Sequence, residues 1–160
     1  MVTKVYFPKI RLAQMLARPG GITREEALSA ATSNVRAISG EGDREIETAI
    51  RTIEKIATAA GSSISKEQLA RILEEADQIV TLAGIFKYSW LNMATRKLCD
   101  VADGFLQAGL SDIAPILVHV RALRFFAPST TALSEAQAKV VLSELDKVHT
   151  HYKFRALDAT

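Results

Sequence analysis

The stretch that decides the fold is residues 76–88, which read Ala76-Asp77-Gln78-Ile79-Val80-Thr81-Leu82-Ala83-Gly84-Ile85-Phe86-Lys87-Tyr88. Its apolar residues continue a stripe at intervals of three and four, which predicts an α-helix with one buried face. The stripe consists of Leu69, Ile72, Ala76, Ile79, Ala83 and Phe86. Ser65 followed by Gln68 has the spacing of a capping box, so this helix is predicted to begin near residue 65. The segment from Lys87 to Ser89 is predicted to end it.

A second helix with a regular apolar seam is predicted after this break. Its seam consists of Leu91, Ala94, Leu98, Val101 and Phe105. Gly109 is placed to end this helix, because glycine adopts the left-handed backbone that helix ends often need. Ser111 is predicted to cap the next helix and Ala127-Pro128 to stop it. Ser134 is predicted to cap a last helix that reaches about Val148.

The chain before residue 65 also has a helical pattern. Thr23 and Glu26 form another capping box, and the helix that follows is predicted to break at Ser39-Gly40-Glu41-Gly42. A further helix is predicted from Asp43, and a short one from Pro8 to about Ala17. The apolar positions of the helix after Asp43 are Ile46, Ile50, Ile53 and Ala57.

These segments together predict an all-α fold, because alternating β-branched runs typical of strands are almost absent. The simplest architecture is an up-down four-helix bundle with additional N-terminal helices. We predict an N-terminal extension over residues 1–22, a single helical-bundle domain over 23–150 and a C-terminal tail over 151–160.

Composition excludes several classes of protein. The chain has 160 residues, a formal net charge of +2 and one cysteine, Cys99, so it cannot form an intramolecular disulfide. The charge is too small to indicate nucleic acid or an anionic membrane. No signal peptide is evident, and no window reaches the roughly 18 apolar residues of a membrane-spanning helix. These features predict a cytoplasmic protein that binds neither nucleic acid nor membrane.

The stretch resembles the phosphoacceptor segment of bacterial histidine-phosphotransfer (HPt) domains, which pass phosphoryl groups between kinases and receiver domains in phosphorelays. That family's pattern reads approximately Ala-His-Asp-Leu-Lys-Gly, two variable or small positions, then Gly, any residue and Phe-Gly-Tyr, with Ser-Leu-Cys later. The positions that match are Ala76, Ile79, Ala83, Gly84, Phe86, Tyr88 and Leu98-Cys99. Residues 118–124, Val-His-Val-Arg-Ala-Leu-Arg, are similar to a signature of the next helix. The resemblance covers about residues 65–127.

The departures from the family pattern fall on its functional positions. Asp77 stands where the phosphorylated histidine should be, Val80 replaces the lysine three residues on, and Thr81 replaces the glycine at four. Lys87 replaces the glycine of the turn. The resemblance therefore implies a pseudo-HPt protein, not an enzyme, that binds a receiver domain or a histidine kinase. Its expected docking face consists of Asp77 as the degenerate phosphotransfer position and of Gln78, Val80, Thr81, Gly84 and Lys87.

Other chemistry has weaker support in the sequence. His119 lies inside a predicted helix but lacks the lysine and glycine that would accompany a phosphoacceptor, so we expect a satisfied, half-buried core residue. His149 and His151 are two apart without a convincing third ligand, so no metal site is predicted, and no cofactor motif is present. Cys99 is expected to be a core residue. Two alternative functions are the binding of a small apolar ligand by the bundle and a structural role as a homodimer.

Overall fold

The computed structural model describes residues 20–152, and this part of the chain is helical. Its five helices are α1 (Arg24–Ala59), α2 (Lys66–Ile85), α3 (Ser89–Ala108), α4 (Ala114–Phe126) and α5 (Glu135–Tyr152). Between residues 20 and 152 the only β-type pairing is an isolated bridge between Ser63 and Asp112. The all-α prediction is confirmed, whereas the short helix predicted over residues 8–17 lies outside the described residues.

The chain divides into two compact units, residues 1–37 and residues 38–160. In the first unit, residues 20–37 are exposed throughout. The predicted capping box begins the helix, because the Glu26 amide donates to Thr23 Oγ1 over 3.2 Å and the Thr23 amide donates to Glu26 Oε2 over 2.7 Å. Exposed apolar side chains in this unit include Leu28 and Val35.

The break predicted at residues 39–42 is wrong, since α1 continues through them. Gly42 is buried, and a Cβ atom built on it would lie 2.0 Å from Cε2 of Phe86. The glycine therefore gives the Phe86 ring room against the α1 backbone, and it does not end the helix. Gly40 has nothing within 4 Å of its Cβ position and is simply accommodated on the exposed face.

The second unit has one hydrophobic core to which all five helices contribute. The predicted apolar seams supply most of it: Ile46, Ile50, Ile53 and Ala57 on α1, Leu69, Ile72, Ala76, Ile79 and Ala83 on α2, and Leu91, Ala94, Leu98, Val101 and Phe105 on α3 are all buried. Phe86, the last residue of the stripe predicted for α2, lies just beyond that helix and is half-buried. Helix α3 contacts α2, α4 and α5. It is therefore central to the packing, which agrees with the regularity of its seam.

Helices α2 and α3 form a hairpin, because only three residues separate them and they are in extensive contact. The predicted cap at Ser65 and Gln68 is present as a reciprocal capping box. At the other end of α2, Lys87 has the left-handed φ of 63°. The Tyr88 amide donates to the Ala83 carbonyl over 2.8 Å, which is the six-to-one hydrogen bond of a Schellman motif.

The remaining helix ends agree with the predictions from the sequence, with two exceptions. Gly109 is left-handed as predicted, with φ 66°. Ser111 does not cap α4; instead Asp112 Oδ1 accepts from the Ala114 amide over 3.0 Å. Ser134 caps α5 as predicted, but α5 continues past Val148 to the end of the described chain, so the first residues of the predicted tail are helical.

Polar contacts join α1 to α4. The Arg124 guanidinium donates to Glu54 over 2.6 Å and 2.5 Å and to Glu47 over 3.1 Å. Glu47 also accepts from the Ser129 hydroxyl over 2.5 Å, just beyond α4. This network is partly exposed, so it orients the two helices more than it stabilises them.

None of the helices within residues 20–152 combines the length and the apolar character needed to cross a membrane.

Candidate functional site

Helix α2 exposes the position that the resemblance assigns to the phosphoacceptor. Asp77 lies near the middle of α2 and is exposed, whereas its neighbours Ala76 and Ile79 are buried. The apolar residues fix the rotation of the helix about its axis, because one face must be buried against α3 and the rest of the core. Asp77 is therefore exposed as a consequence of the same pattern that predicted the helix.

Three further members of the docking face lie on the same side of α2 as Asp77. Val80, Thr81 and Gly84 follow it at intervals of three, four and seven residues, which are neighbouring positions on one helix face. Thr81 and Gly84 are exposed and Val80 is half-buried. The Thr81 hydroxyl donates to the carbonyl oxygen of Asp77 over 3.0 Å, so the hydroxyl is directed back onto its own helix.

The other two predicted residues lie at the edges of this face. Gln78 is exposed but directly follows Asp77, so it is rotated by about 100° around the helix. Lys87 is exposed in the turn beyond the end of α2. The structure thus brings together Asp77, Val80, Thr81 and Gly84, and it leaves Gln78 and Lys87 at the margin.

Helix α3 adds two polar residues that the sequence analysis missed. Asn92 Nδ2 donates to the carbonyl oxygen of Val80 over 2.9 Å, and Arg96 Nε donates to Asn92 Oδ1 over 2.9 Å. This chain of two hydrogen bonds holds the guanidinium beside position 80. The spacing of four between Asn92 and Arg96 predicts that they are neighbours on α3, but only the packed hairpin shows which part of α2 they contact.

Cys99 lies at the inner margin of the same face. Burial raises the pKa of its thiol to about 11, with further increases from the charges of Asp100 and Asp77 and an opposing effect from Arg96. Asp77 and Arg96 therefore act on the same half-buried sulfur from two helices. Because the thiolate is the nucleophile, Cys99 is unreactive at neutral pH, which agrees with its predicted role as a core residue.

This assignment can be tested by alkylating Cys99 with iodoacetamide. A pKa of about 11, against an ordinary 9.0, gives about 100-fold less thiolate at neutral pH than in the unfolded chain. We expect the rate to rise with pH up to a midpoint near 11, and Asp77→Asn to lower that midpoint. Glu74→Gln, on the exposed surface of α2, serves as the control. A midpoint equal to that of the denatured protein would contradict the packing of Cys99 described here.

The three histidines lie on α4 and α5 and are not part of the docking face. His119 is fully buried in α4, not half-buried as predicted, and its Nδ1 is 2.8 Å from the carbonyl oxygen of Pro115. Its Nε2 has no hydrogen-bond partner in the described part of the protein. His149 is half-buried and His151 exposed near the end of α5. Between residues 20 and 152, no three His, Cys, Asp or Glu side chains are grouped so as to hold a metal ion.

Comparisons with known proteins identify no relative of this chain. No family model, no curated protein and no solved structure matches it.

Proposed function

We propose that the chain is a non-catalytic pseudo-HPt protein of a bacterial two-component phosphorelay, working in the cytoplasm. In this proposal its helices correspond to the up-down four-helix bundle of that family. It binds a receiver domain, or alternatively a histidine kinase, through the docking face of Asp77, Gln78, Val80, Thr81, Gly84 and Lys87.

The observation that carries the proposal is the exposure of Asp77 midway along the outer side of the α2–α3 hairpin. A partner can approach this face closely, because the nearest atom to a Cβ built on Gly84 is Asn92 Nδ2, at 4.0 Å. The site is thus an open helical surface next to a small residue, as docking by a second globular domain requires.

The chemistry of the face argues against phosphoryl transfer. A receiver presents carboxylates around its phosphorylation site, and like charges about 4 Å apart repel by about 1 kcal/mol in water and by more when desolvated. Asp77 would face that repulsion, whereas a histidine would not. Thr81 adds bulk at the approach. The Cys99 thiol stays protonated near neutral pH and offers no substitute nucleophile.

Arg96 supplies a positive charge that the docking face otherwise lacks at Val80. Asn92 holds its guanidinium beside that residue from α3, where the family pattern has a lysine on the equivalent of α2. An acidic receiver surface would therefore meet an arginine that is held by its hydrogen bond to Asn92. This arrangement favours a receiver domain over a kinase as the partner.

The test is a binding titration of the full chain against purified receiver domains and histidine kinases of two-component systems, one at a time. We expect Gly84→Arg, which adds bulk at the centre of the face, and Arg96→Glu each to weaken binding of the true partner by about tenfold or more. Ser143→Arg, on the exposed surface of α5, is the matched control and should bind as the unmodified protein does.

Two results would contradict this proposal. Stoichiometric acid-labile phosphate on the chain, after mixing with a phosphorylated receiver or with a kinase and ATP, would show that the protein transfers phosphate. Undiminished partner binding by Gly84→Arg and Arg96→Glu, with both variants folded by circular dichroism, would place the interface elsewhere.

A further inference from the structure

A pocket of about 310 Å³ lies where the α2–α3 turn meets the connection between α4 and α5. We propose that it binds a small amphipathic anion, with an apolar ring or short acyl chain as its body and a carboxylate at one end. This site is distinct from receiver docking and shares only Lys87 with the docking face. The volume is near the lower end of the range for small-molecule sites, so the ligand is small.

The walls of the pocket select an apolar body. Aromatic rings of Trp90, Phe125 and Phe126 line it together with Leu133. Phe125 is 51% exposed, so much of its apolar surface is in contact with water. A ligand that covers these rings removes apolar surface from water at about 25 cal/mol per Å².

Two hydroxyl groups around the pocket, those of Tyr88 and Thr130, already have acceptors. The Tyr88 hydroxyl donates to Asp43 Oδ1 over 2.6 Å, which raises the pKa of the phenol to about 12. The Thr130 hydroxyl donates to the carbonyl oxygen of Arg124 over 2.8 Å. Because neither of these two hydroxyls needs a ligand to accept its proton, the part of a ligand beside them can be apolar.

The charge at the rim selects an anion. Lys87 is the only charged residue among those lining the pocket. Among residues 20–152, no carboxylate lies within ion-pair distance of its ammonium group. The left-handed backbone at Lys87 is held by the hydrogen bonds of the turn, so the base of this side chain is fixed at the rim.

The start of α3 adds to this positive charge. Ser89, Trp90 and Leu91 line the pocket as the first residues of α3, and no side chain caps this helix end. The N-terminal end of a helix carries a partial positive charge, which favours a carboxylate near it. Lys87 and the helix end therefore attract the same charged group, while the aromatic walls bind the rest of the molecule.

Trp90 makes the site directly measurable, because it is the single tryptophan of the chain and lies in the pocket wall. The probes are 4-phenylbutyrate and octanoate, each compared with its neutral amide, titrated into the full chain while Trp90 emission is recorded. We expect saturable changes with the acids and binding about tenfold weaker with the amides. The acid that binds with the higher affinity shows whether the body of the natural ligand is aromatic or aliphatic.

Three variants test the charge at the rim, the space in the pocket and the effect of removing a lysine elsewhere. Lys87→Asn removes the ammonium but suits a left-handed backbone, so it should fold normally. It should weaken acid binding most of the way to the level of the amides, and the N-terminal end of α3 should account for the remaining preference for the acid. Ala132→Phe, at an exposed position on the pocket wall, should abolish binding of both acid and amide. Lys139→Asn is the control, since that lysine pairs with Glu135 on α5 away from the pocket, and it should leave binding unchanged.

Four outcomes would overturn the proposal. Equal affinity for acids and amides, or unchanged acid binding by Lys87→Asn, would show that charge is not recognised. No saturable change up to about 10 mM of either acid would show that the pocket binds no such ligand. A dimer by sedimentation, with Trp90 emission that changes on dilution, would assign the pocket to a second copy of the chain. None of these results would affect the receiver-binding test, which relies on Gly84 and Arg96.

Discussion

Gly42→Ala is expected to lower the free energy of unfolding by about 1 to 3 kcal/mol, although alanine normally stabilises a helix. The added Cβ would lie 2.0 Å from Cε2, 2.5 Å from Cζ and 2.8 Å from Cδ2 of Phe86. These distances are far below van der Waals contact, so the ring must move. Phe86 ends α2 through a hydrogen bond from its amide to Leu82, and a shift of the ring would therefore disturb the hairpin turn as well.

Gly40→Ala is the matched control, because it makes the same chemical change in the same helix. Its Cβ position is open, so this variant should gain about 0.5 to 1 kcal/mol from the better helix propensity of alanine. Urea denaturation of both variants measures the difference. Adding Phe86→Leu to Gly42→Ala should recover part of the loss, because the two positions are coupled. A stabilising Gly42→Ala would show that the ring does not pack on this helix.

Stability is expected to fall with acid because of His119. The imidazole is wholly buried, and its Nδ1–H donates to the carbonyl oxygen of Pro115, since a carbonyl can only accept. In the neutral ring, Nε2 then carries a lone pair without a partner in the described structure. Burial is the main factor that lowers the pKa of His119. The charges of His149 and Lys97 lower it further, against opposing effects of the Pro115 hydrogen bond and of Asp100.

The direction of the pH effect follows from proton uptake. An unfolded histidine titrates near pH 6.5, whereas folded His119 resists protonation until a lower pH. The unfolded chain therefore binds the extra proton first, and the stability that is fully present above pH 6.5 is lost as the pH falls below it. One such group can remove at most about 1.4 kcal/mol per pH unit.

Urea denaturation of the protein between pH 7.5 and pH 5 measures this loss. His119→Phe, which fills the same space without a titrating group, should flatten the dependence. His151→Gln changes an exposed histidine at the end of α5 and should leave the slope as it is. An unaltered slope in His119→Phe would mean that the acid sensitivity comes from another group.

The sequence predicts those parts of the fold that depend on local rules. The capping boxes at Thr23 and Ser65, the cap at Ser134 and the left-handed Gly109 are set by residues within one turn of each helix end. The apolar seams predict the buried faces for the same reason. The exposure of Asp77 follows from them, because a residue that is not on the apolar seam of a helix lies on its solvent-facing side.

What the sequence could not predict depends on contacts between distant segments. Gly42 has the local pattern of a helix breaker, and only the ring of Phe86 explains why a glycine stands inside a helix there. Arg96 gives no local sign that it lies beside Val80, because the hairpin alone brings α3 to that part of α2. His119 was expected to have its polar atoms satisfied, but its burial leaves Nε2 without a partner among the described residues.

At position 87 the backbone conformation favours glycine, whereas the proposed ligand site requires the charge of lysine. A side chain in the left-handed region costs roughly 1 to 2 kcal/mol that glycine would not. Glycine at position 87 would make the turn more favourable and would also remove the cation from the pocket rim. Selection for heat resistance alone would therefore favour loss of the lysine, and its retention under such selection would indicate that the charge itself is needed.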